Sequence, residues 1–258
     1  MKLGFIGMGN MGLALAEGFL ASGMLQSTDI AAYAPNREKL KANAARVGFL
    51  PCDTAKEAVA FADVVVMACK PAQIESVLQE VGDALVGKAL LSVALGFDYA
   101  RYTALLPNTR IQFVMPNTPA AVGEGTFLFE ETNSLEKAEH EALVALFQAL
   151  GTVITLPSHL MGIGGAVSGC GPAFVCMMIE AFADAGVKYG LTREQALQMT
   201  AKTVLGSAKL VLETGKHPAA LKDAVCSPGG STIKGVTALE QAGFRANCIS
   251  AIDAIMKK

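Results

Sequence analysis

The sequence has few charged residues, and they form no cluster of one sign. Charged residues make up 17% of the 258 residues, and the formal net charge is −2. Because no basic stripe is present, we do not expect the chain to bind nucleic acid. Long apolar runs are also missing: the richest, residues 174–179, is followed by Glu180. No run approaches the roughly 18 apolar residues of a membrane span, so none is expected.

Paired or clustered cysteines and histidines are missing as well. The six cysteines have no C-x-x-C spacing, and the three histidines lie far apart. We therefore expect free thiols and no metal site. The N-terminus leads directly into a predicted strand, so no signal peptide is expected and the protein is predicted to be cytoplasmic. The residues concerned are Cys52, Cys69, Cys170, Cys176, Cys226, Cys248, His140, His159 and His217.

Apolar residues, in contrast, are abundant, at 52% of the chain. That fraction is high for a soluble monomer and predicts that some apolar surface is buried between subunits. The length suffices for one large or two medium domains.

The first twelve residues carry the most specific local pattern. A short apolar strand, residues 2–6, runs into Gly7-Met8-Gly9-Asn10-Met11-Gly12, a G-x-G-x-x-G that opens a helical pattern. This order holds a dinucleotide pyrophosphate on the helix N-terminus. Gly7 allows the tight turn, Gly9 lets the backbone approach the phosphates, and Gly12 lets the helix lie against the strand. The alternative is an ordinary glycine-rich turn.

Residues 1–156 alternate short apolar runs with helical patterns, which predicts a doubly wound parallel sheet. The intervening helices include residues 36–45, 73–81 and 135–150, the last with Ser134 as its N-cap. The predicted strands are Leu3–Ile6, Ile30–Tyr33, 48–50, 64–68, 89–93, 111–114, 126–129 and 152–156.

Residues 157–258 show helical patterns and no convincing alternation of period two, so we predict an all-α domain. Thr192 and Gln195 form a capping box, and Gly215 is placed to end the helix that they begin. Segment 162–171 is rich in small residues, which let a backbone approach another backbone or a ligand closely. The predicted α/β architecture is a Rossmann-type domain, residues 1–156, followed by a helical domain, residues 157–258.

The end of the second strand predicts which nucleotide is bound. An acid there binds the ribose 2′-hydroxyl of NAD, but segment 32–37 has none, and Asp29 lies before the strand. Arg37 offers a fork of donors to a 2′-phosphate, and Asn36 offers an amide. We therefore expect NADPH to be preferred over NADH. Alternatively, Arg37 is a solvated residue in the first turn of a helix.

Another strand end carries Ala68-Cys69-Lys70-Pro71. Strand C-termini line the ligand crevice in such sheets, so Lys70 and its neighbouring backbone are expected to face the cofactor. The alternative is that Pro71 sets a helix start and Lys70 is solvated.

Three later segments, read together with residues 7–12 and 68–71, resemble the pyrroline-5-carboxylate reductase family. They are Met115-Pro116-Asn117-Thr118-Pro119, Ser168-Gly169-Cys170-Gly171-Pro172-Ala173 and Ser227-Pro228-Gly229-Gly230-Ser231-Thr232-Ile233. The resemblance covers nearly the whole chain. It implies an NAD(P)H-dependent oxidoreductase that reduces the C=N bond of 1-pyrroline-5-carboxylate to L-proline, the last step of proline biosynthesis. It also implies a homodimer with interlocked helical domains, and in many members further assembly, often to decamers.

The resemblance also assigns site residues. The implied substrate-binding residues are Gly229, Gly230, Ser231 and Thr232, together with Ser168 and Gly169. The implied cofactor-binding residues are Gly7, Met8, Gly9, Asn10, Met11, Gly12, Ala34, Pro35, Asn36, Arg37, Ala68, Cys69, Lys70, Pro71, Ala94, Leu95 and Gly96.

The chain departs from the family pattern at five positions. Many relatives have asparagine at Ala55 and Ala224 and serine at Cys170, and Gly162 and Gly165 replace an acid and a threonine. These differences put side-chain contacts in doubt and leave the backbone contacts of the glycine-rich segments in place.

The residues themselves favour hydride transfer. No Ser-His-Asp set or carboxylate pair is recognisable, and a hydride transferase needs mainly orientation and electrostatics from its protein. Backbone N–H groups of segment 229–232, before a helix predicted to begin near Ile233, are expected to anchor the substrate carboxylate. Thr232 is the predicted catalytic residue, hydrogen-bonded to the imine nitrogen. The alternative is a plain turn with Thr232 as N-cap.

Two other functions fit some of these features. A 3-hydroxyacid dehydrogenase would use a lysine of its helical domain as acid and base. Lys188, Lys202 and Lys209 are available, but none lies in a recognisable catalytic motif. A non-catalytic NADP(H) sensor would use the helical domain to bind a partner protein.

Overall fold

The computed structural model describes residues 1–257, and the chain divides after Gly169 into two units. The first unit is an eight-stranded sheet flanked by helices. Its elements are β1 (Leu3–Ile6), α1 (Asn10–Ala21), β2 (Ile30–Tyr33), α2 (Arg37–Val47), β3 (Leu50–Pro51), α3 (Ala55–Phe61), β4 (Val64–Met67), α4 (Pro71–Val81), β5 (Ala89–Ser92), α5 (Tyr99–Leu105), β6 (Arg110–Met115), β7 (Gly125–Glu130), α6 (Lys137–Gln148), β8 (Gly151–Leu156) and α7 (Met161–Ser168). Short 3-10 turns lie at Ser27–Asp29, Gly82–Leu85, Thr118–Val122 and Ser158–Leu160.

The strand order is β3-β2-β1-β4-β5-β6-β7-β8, with β1 to β6 parallel. The chain first builds outward from β1 to β3 and then crosses to β4, so the order reverses at β1. In sheets of this kind a ligand crevice opens at such a reversal, outside the carboxyl ends of the strands. The predicted parallel sheet is confirmed. It is extended by β7, which is antiparallel to β6, and by β8, which is parallel to β7.

Helices cover both faces of the sheet, which explains why its central strands are continuous apolar runs. Along β4, Val64 and Val66 pack into one buried cluster, while Val65 and Met67 pack into another. The first cluster includes α1 and α6, and the second includes α3, α4 and α5. This alternation of side chains fixes each strand's register between the two layers.

Several predicted boundaries were wrong in detail. Ser134 is not the N-cap of α6: Glu136 is, in a capping box with Glu139. The Ser134 hydroxyl instead accepts from the backbone N–H of Ile111, 2.9 Å away, because Ser134 is paired to β6. Helix α5 was not predicted, because it is only seven residues long. The third strand lies at Leu50–Pro51, not at 48–50, because Gly48 ends α2.

The second unit is all-α, as predicted. The capping box of Thr192 and Gln195 starts α9, and Gly215 ends it with a φ of +62°. Within the described part of this unit, the buried apolar residues are Ala183 and Ala196. The helices are α8 (Gly171–Lys188), α9 (Arg193–Thr214), α10 (Pro218–Ala224), α11 (Ser231–Gln241) and α12 (Phe244–Met256).

Two observations concern the region where the units join in sequence. A Cβ on Gly164 would collide with Leu128 and Leu156, so α7 packs tightly on the sheet and belongs to the first unit. The domain boundary expected between residues 156 and 157 stays a prediction. The helical segment Ser158–Lys188 is long and apolar enough to cross a membrane by length and composition, and 11% of its most apolar window is buried.

Candidate functional site

Gly7 directly follows β1 and has a conformation that glycine adopts most readily. Its φ is +102°, and a Cβ on it would collide with the backbone of Ala68 and Cys69. Helix α1 begins at Asn10 with Gly9 as N-cap, so no capping side chain covers its first N–H groups. Among the described residues, no atom lies within 4 Å of a Cβ built on Gly9. Open space therefore faces unsatisfied backbone donors, as a pyrophosphate requires.

A cavity of about 630 Å³ adjoins this turn. It lies at the carboxyl ends of β1, β2 and β4, where the strand order reverses, and its volume is that of a typical ligand pocket. Nine predicted cofactor residues line it: Gly7, Met8, Gly9, Ala34, Pro35, Asn36, Ala68, Cys69 and Lys70. The predicted residues outside its lining are Asn10, Met11, Gly12, Arg37, Pro71, Ala94, Leu95 and Gly96.

The end of β2 differs from the expectation in one respect. The Arg37 guanidinium binds the Cys52 carbonyl and the Asp53 carboxylate, and it lies 5.9 Å from the centre of the Tyr33 ring. Lys39 lines the cavity in its place. A guanidinium has five donors, so its contact with Asp53 leaves donors for a phosphate. The contact of Asp53 with Arg37 was not predicted, because Asp53 follows β3, the neighbouring strand.

Cys69 and Lys70 both lie at the cavity wall. Burial raises the pKa of the Cys69 thiol to about 11. The thiol is therefore neutral at physiological pH and adds no negative charge beside a bound phosphate. Lys70 is exposed and is the N-cap of α4, with Pro71 in the first turn. Pro71 thus sets the helix start as the alternative proposed, while Lys70 still lines the cavity.

The loop after β5 is held by side chains that the sequence analysis missed. Arg101 donates to the Gly96 carbonyl over 3.3 Å and to Glu75 on α4 over 2.9 Å. The buried Glu130 carboxylate accepts from the Tyr99 N–H over 2.9 Å. These contacts join elements far apart in sequence, and nothing in the sequence marked them. Cavity residues that were also missed are Ile6, Tyr33, Lys39, Leu40, Gln73, Ser76, Val77 and Glu80; most lie on helices α2 and α4.

Ser168 and Gly169 end helix α7. The Ser168 hydroxyl donates to the Gly164 carbonyl over 3.0 Å, and the Gly169 N–H donates to the Gly165 carbonyl over 2.8 Å. Both donors are therefore engaged inside the helix. What remains available at Ser168 is hydroxyl acceptor capacity.

The predicted substrate loop lies in the second unit. Gly229 has a φ of +69°, and the Gly230 N–H donates to the Ser227 carbonyl over 3.0 Å. Helix α11 begins at Ser231, two residues before the expected start near Ile233, and Gly230 is its N-cap. The alternative that Thr232 is the N-cap is therefore wrong. Ser231 and Thr232 are exposed residues of the first turn, where N–H groups lack helical partners.

Family models match both units. The model for the "Pyrroline-5-carboxylate reductase dimerisation" family matches residues 158–258, and one for "NADP oxidoreductase coenzyme F420-dependent" matches residues 2–96. Pyrroline-5-carboxylate reductase of Treponema pallidum is 41% identical over 261 residues, which cover 99% of both chains. The chain belongs to the pyrroline-5-carboxylate reductase family. The predicted family, and the expectation that the protein is an enzyme of this family, are confirmed.

Other relatives agree with this assignment. The Escherichia coli pyrroline-5-carboxylate reductase is also 41% identical, over all of this chain and 96% of its own. The crystal structure of Plasmodium falciparum pyrroline carboxylate reductase with NADP bound has a TM-score of 0.89 and 31% identity. It covers 99% of this chain and 95% of its own. The predicted two-part fold is therefore shared with members of the family.

Proposed function

We propose that this protein catalyses the NADPH-dependent reduction of 1-pyrroline-5-carboxylate to L-proline. The observation that carries the proposal is full-length similarity to pyrroline-5-carboxylate reductases, combined with the cavity at the sheet reversal. The reaction adds a hydride to the ring carbon of the C=N bond and a proton to its nitrogen. When bound, NADPH supplies the hydride.

The first unit has the features needed to hold the cofactor. The N-terminus of α1 and the open space at Gly9 accept the pyrophosphate. Segment 34–36 and Lys39 line the same cavity at the end of β2. The positive charges of Arg37 and Lys39 favour a 2′-phosphate, so NADPH is the proposed cofactor and NADH the poorer one. We assign the Ala94–Gly96 loop to the nicotinamide half because it follows β5, the strand beside β4.

The substrate is held by the start of α11. The N–H groups of Ser231 and Thr232 lie at a helix N-terminus, where a carboxylate is stabilised. Thr232, in the first turn, offers a hydroxyl to the imine nitrogen. A cyclic imine that is partly protonated near neutral pH is already an electrophile, so no strong general acid is required. Binding and orientation by these groups then supply the catalysis.

We propose a homodimer as the minimal active unit. The second unit buries only Ala183 and Ala196 among its described apolar residues, while Met177, Leu205 and Leu212 are at least half exposed. A helical unit without its own core needs a partner, and the family model for dimerisation covers it. The apolar helix α8 is assigned to this interface and not to a membrane. Assembly to a decamer and a cytoplasmic location stay predictions.

The test is a steady-state assay on the purified protein. We expect NADPH to be oxidised when pyrroline-5-carboxylate is present, with proline as the product. NADH, supplied in place of NADPH, is expected to be oxidised more slowly. Reduction of NADP by a 3-hydroxyacid without activity on the imine would identify a hydroxyacid dehydrogenase instead. Tight NADPH binding with no turnover of either substrate would identify a sensor.

A further inference from the structure

Asn117 belongs to a motif that the proposed function has not used. It lies two residues after the end of β6, within Met115-Pro116-Asn117-Thr118-Pro119, and it is 6% exposed. Its side-chain Oδ1 accepts from the Thr126 N–H over 2.9 Å. Its Nδ2 donates to the Ser168 carbonyl over 3.0 Å, across 51 residues of sequence. One buried amide therefore connects β6, the start of β7 and the last residue of α7.

The Ser168 carbonyl needs such a donor. In a continuing helix it would accept from the residue four positions on, but that residue is Pro172, which has no N–H. A helix-terminal carbonyl left unpaired in a protected position costs free energy. Asn117 supplies the missing hydrogen bond and thereby fixes the direction in which the chain leaves α7 at Gly169.

A second contact sets the same helix against the same strand. A Cβ on Gly165 would collide with the Met115 sulfur, so α7 lies directly on the end of β6. Gly165 and Ser168 are three residues apart and therefore share one face of the helix. That face meets Met115 and Asn117, which are two residues apart. These two contacts, Gly165 with Met115 and Ser168 with Asn117, fit a single orientation of α7 and oppose rotation of the helix about its axis.

We propose that Asn117 is a positioning residue for the substrate: its amide fixes the end of α7 and thereby the place of the Ser168 hydroxyl, whose oxygen is available to the imine. The inference rests on the proposed function, which assigns Ser168 and Gly169 to the substrate. Asn117 acts through the end of α7 and is not itself a catalytic residue. Its loss is expected to affect the imine and not the cofactor, because the phosphate turn at Gly7–Gly9 lies on other elements.

The first test replaces Asn117 by aspartate. In Asn117→Asp the carboxylate still accepts from Thr126 but cannot donate, and it places negative charge against the Ser168 carbonyl. We expect the KM for pyrroline-5-carboxylate to rise at least about tenfold. The dissociation constant for NADPH, measured by fluorescence titration, stays within about twofold of wild type.

Gln112→Glu is the matched control. Gln112 is a fully buried amide on β6, the strand that precedes Asn117, and its Nε2 donates to the Phe113 and Glu130 carbonyls, each over 2.9 Å. The same amide-to-acid change is expected to lower the melting temperature without raising the KM for the imine. An unchanged KM in Asn117→Asp, or equal losses of imine and NADPH binding, would overturn the proposal.

Asn117→Ser decides the question if Asn117→Asp does not fold. The shorter serine side chain does not span Thr126 and Ser168, so we expect the same selective rise in KM without an added charge. An unchanged KM in Asn117→Ser, or equal losses of imine and NADPH binding, contradicts the proposal. Absence of turnover in the wild-type protein contradicts the proposed function instead.

Discussion

At the scale of single residues, removal of the Thr232 hydroxyl tests whether segment 229–232 is a catalytic loop or only the start of a helix. Thr232→Ala keeps the backbone N–H groups proposed to bind the carboxylate. It removes the hydrogen bond proposed at the imine, worth about 1–3 kcal/mol. We expect kcat/KM for pyrroline-5-carboxylate to fall about ten- to a hundredfold, with NADPH affinity unchanged.

Thr237→Ala provides the control for that experiment. Thr237 lies on the same helix, and its hydroxyl donates to the Ile233 carbonyl over 3.0 Å. Its loss removes the same atoms without touching the proposed loop, so kinetics like those of wild type are expected. Equal kinetics in both variants would remove Thr232 from the mechanism.

The charge of Arg37 provides the second prediction at this scale. Arg37→Glu places an acid where a 2′-phosphate is expected, and it also repels Asp53. The ratio of kcat/KM for NADPH to that for NADH is expected to fall about ten- to a hundredfold. Lys41→Glu makes the same change on the exposed face of α2, away from the cavity lining, and is expected to leave the ratio unchanged. A ratio that moves equally in both variants would show only a general charge effect.

The sequence predicted some of these residues and could not have predicted others. Local motifs such as Gly7–Gly9 and Gly229–Thr232 are visible because the backbone conformation needs glycine within a few residues. The roles of Asp53, Arg101 and Asn117 depend on strands and helices that meet only in the folded chain. Lys39 was missed because α2 turns it into the cavity, which the linear order beside Arg37 does not show.

At the scale of elements, an ion pair joins strand β6 to helix α6. The Arg110 guanidinium donates to Glu139 over 2.6 and 2.8 Å. This hydrogen bonding lowers the pKa of Glu139 below its ordinary value of 4.5. A folded pKa below the unfolded one stabilises the protein fully above pH 4.5, and the contribution is lost as the pH falls through the folded pKa.

Glu139→Gln is therefore expected to lower the free energy of unfolding by about 1 kcal/mol at pH 7. The difference from wild type is expected to shrink as the pH is lowered below the ordinary glutamate pKa. Urea unfolding at pH 7 and at progressively lower pH measures it. A difference that is constant with pH would show that the carboxylate charge is not what stabilises this contact.

Elements differed in how well the sequence predicted them, for physical reasons. β1, β2 and β4 are buried on both faces, so their apolar runs mark them clearly. β3 has two residues and α5 has seven, too few for a periodic pattern. The Ser134 side chain is of a type that often caps helices, but Ser134 is hydrogen-bonded to Ile111 of β6 and does not cap α6.

At the scale of the whole molecule, the exposed apolar surface of the second unit predicts subunit association. Met177 on α8 is 67% exposed. A charge there is harmless in an isolated chain and costly in an apolar interface. Met177→Glu is expected to convert the dimer to monomers at micromolar concentration in sedimentation velocity.

Lys137→Gln is the control for this experiment, because it changes the net charge equally on an exposed side chain of the first unit. It is expected to sediment like the wild-type dimer. A wild-type monomer, or a dimeric Met177→Glu variant, would contradict the proposed interface.

The central claim is that this fold transfers a hydride from a nicotinamide to the imine carbon of pyrroline-5-carboxylate. The most direct measurement supplies NADPH deuterated at C4 of the nicotinamide, on each face in turn, and analyses the proline by NMR. We predict that one of the two labelled cofactors transfers its deuterium, as deuteride, to the former imine carbon. Proline without label from either cofactor, or NADPH oxidation without proline, would contradict the account.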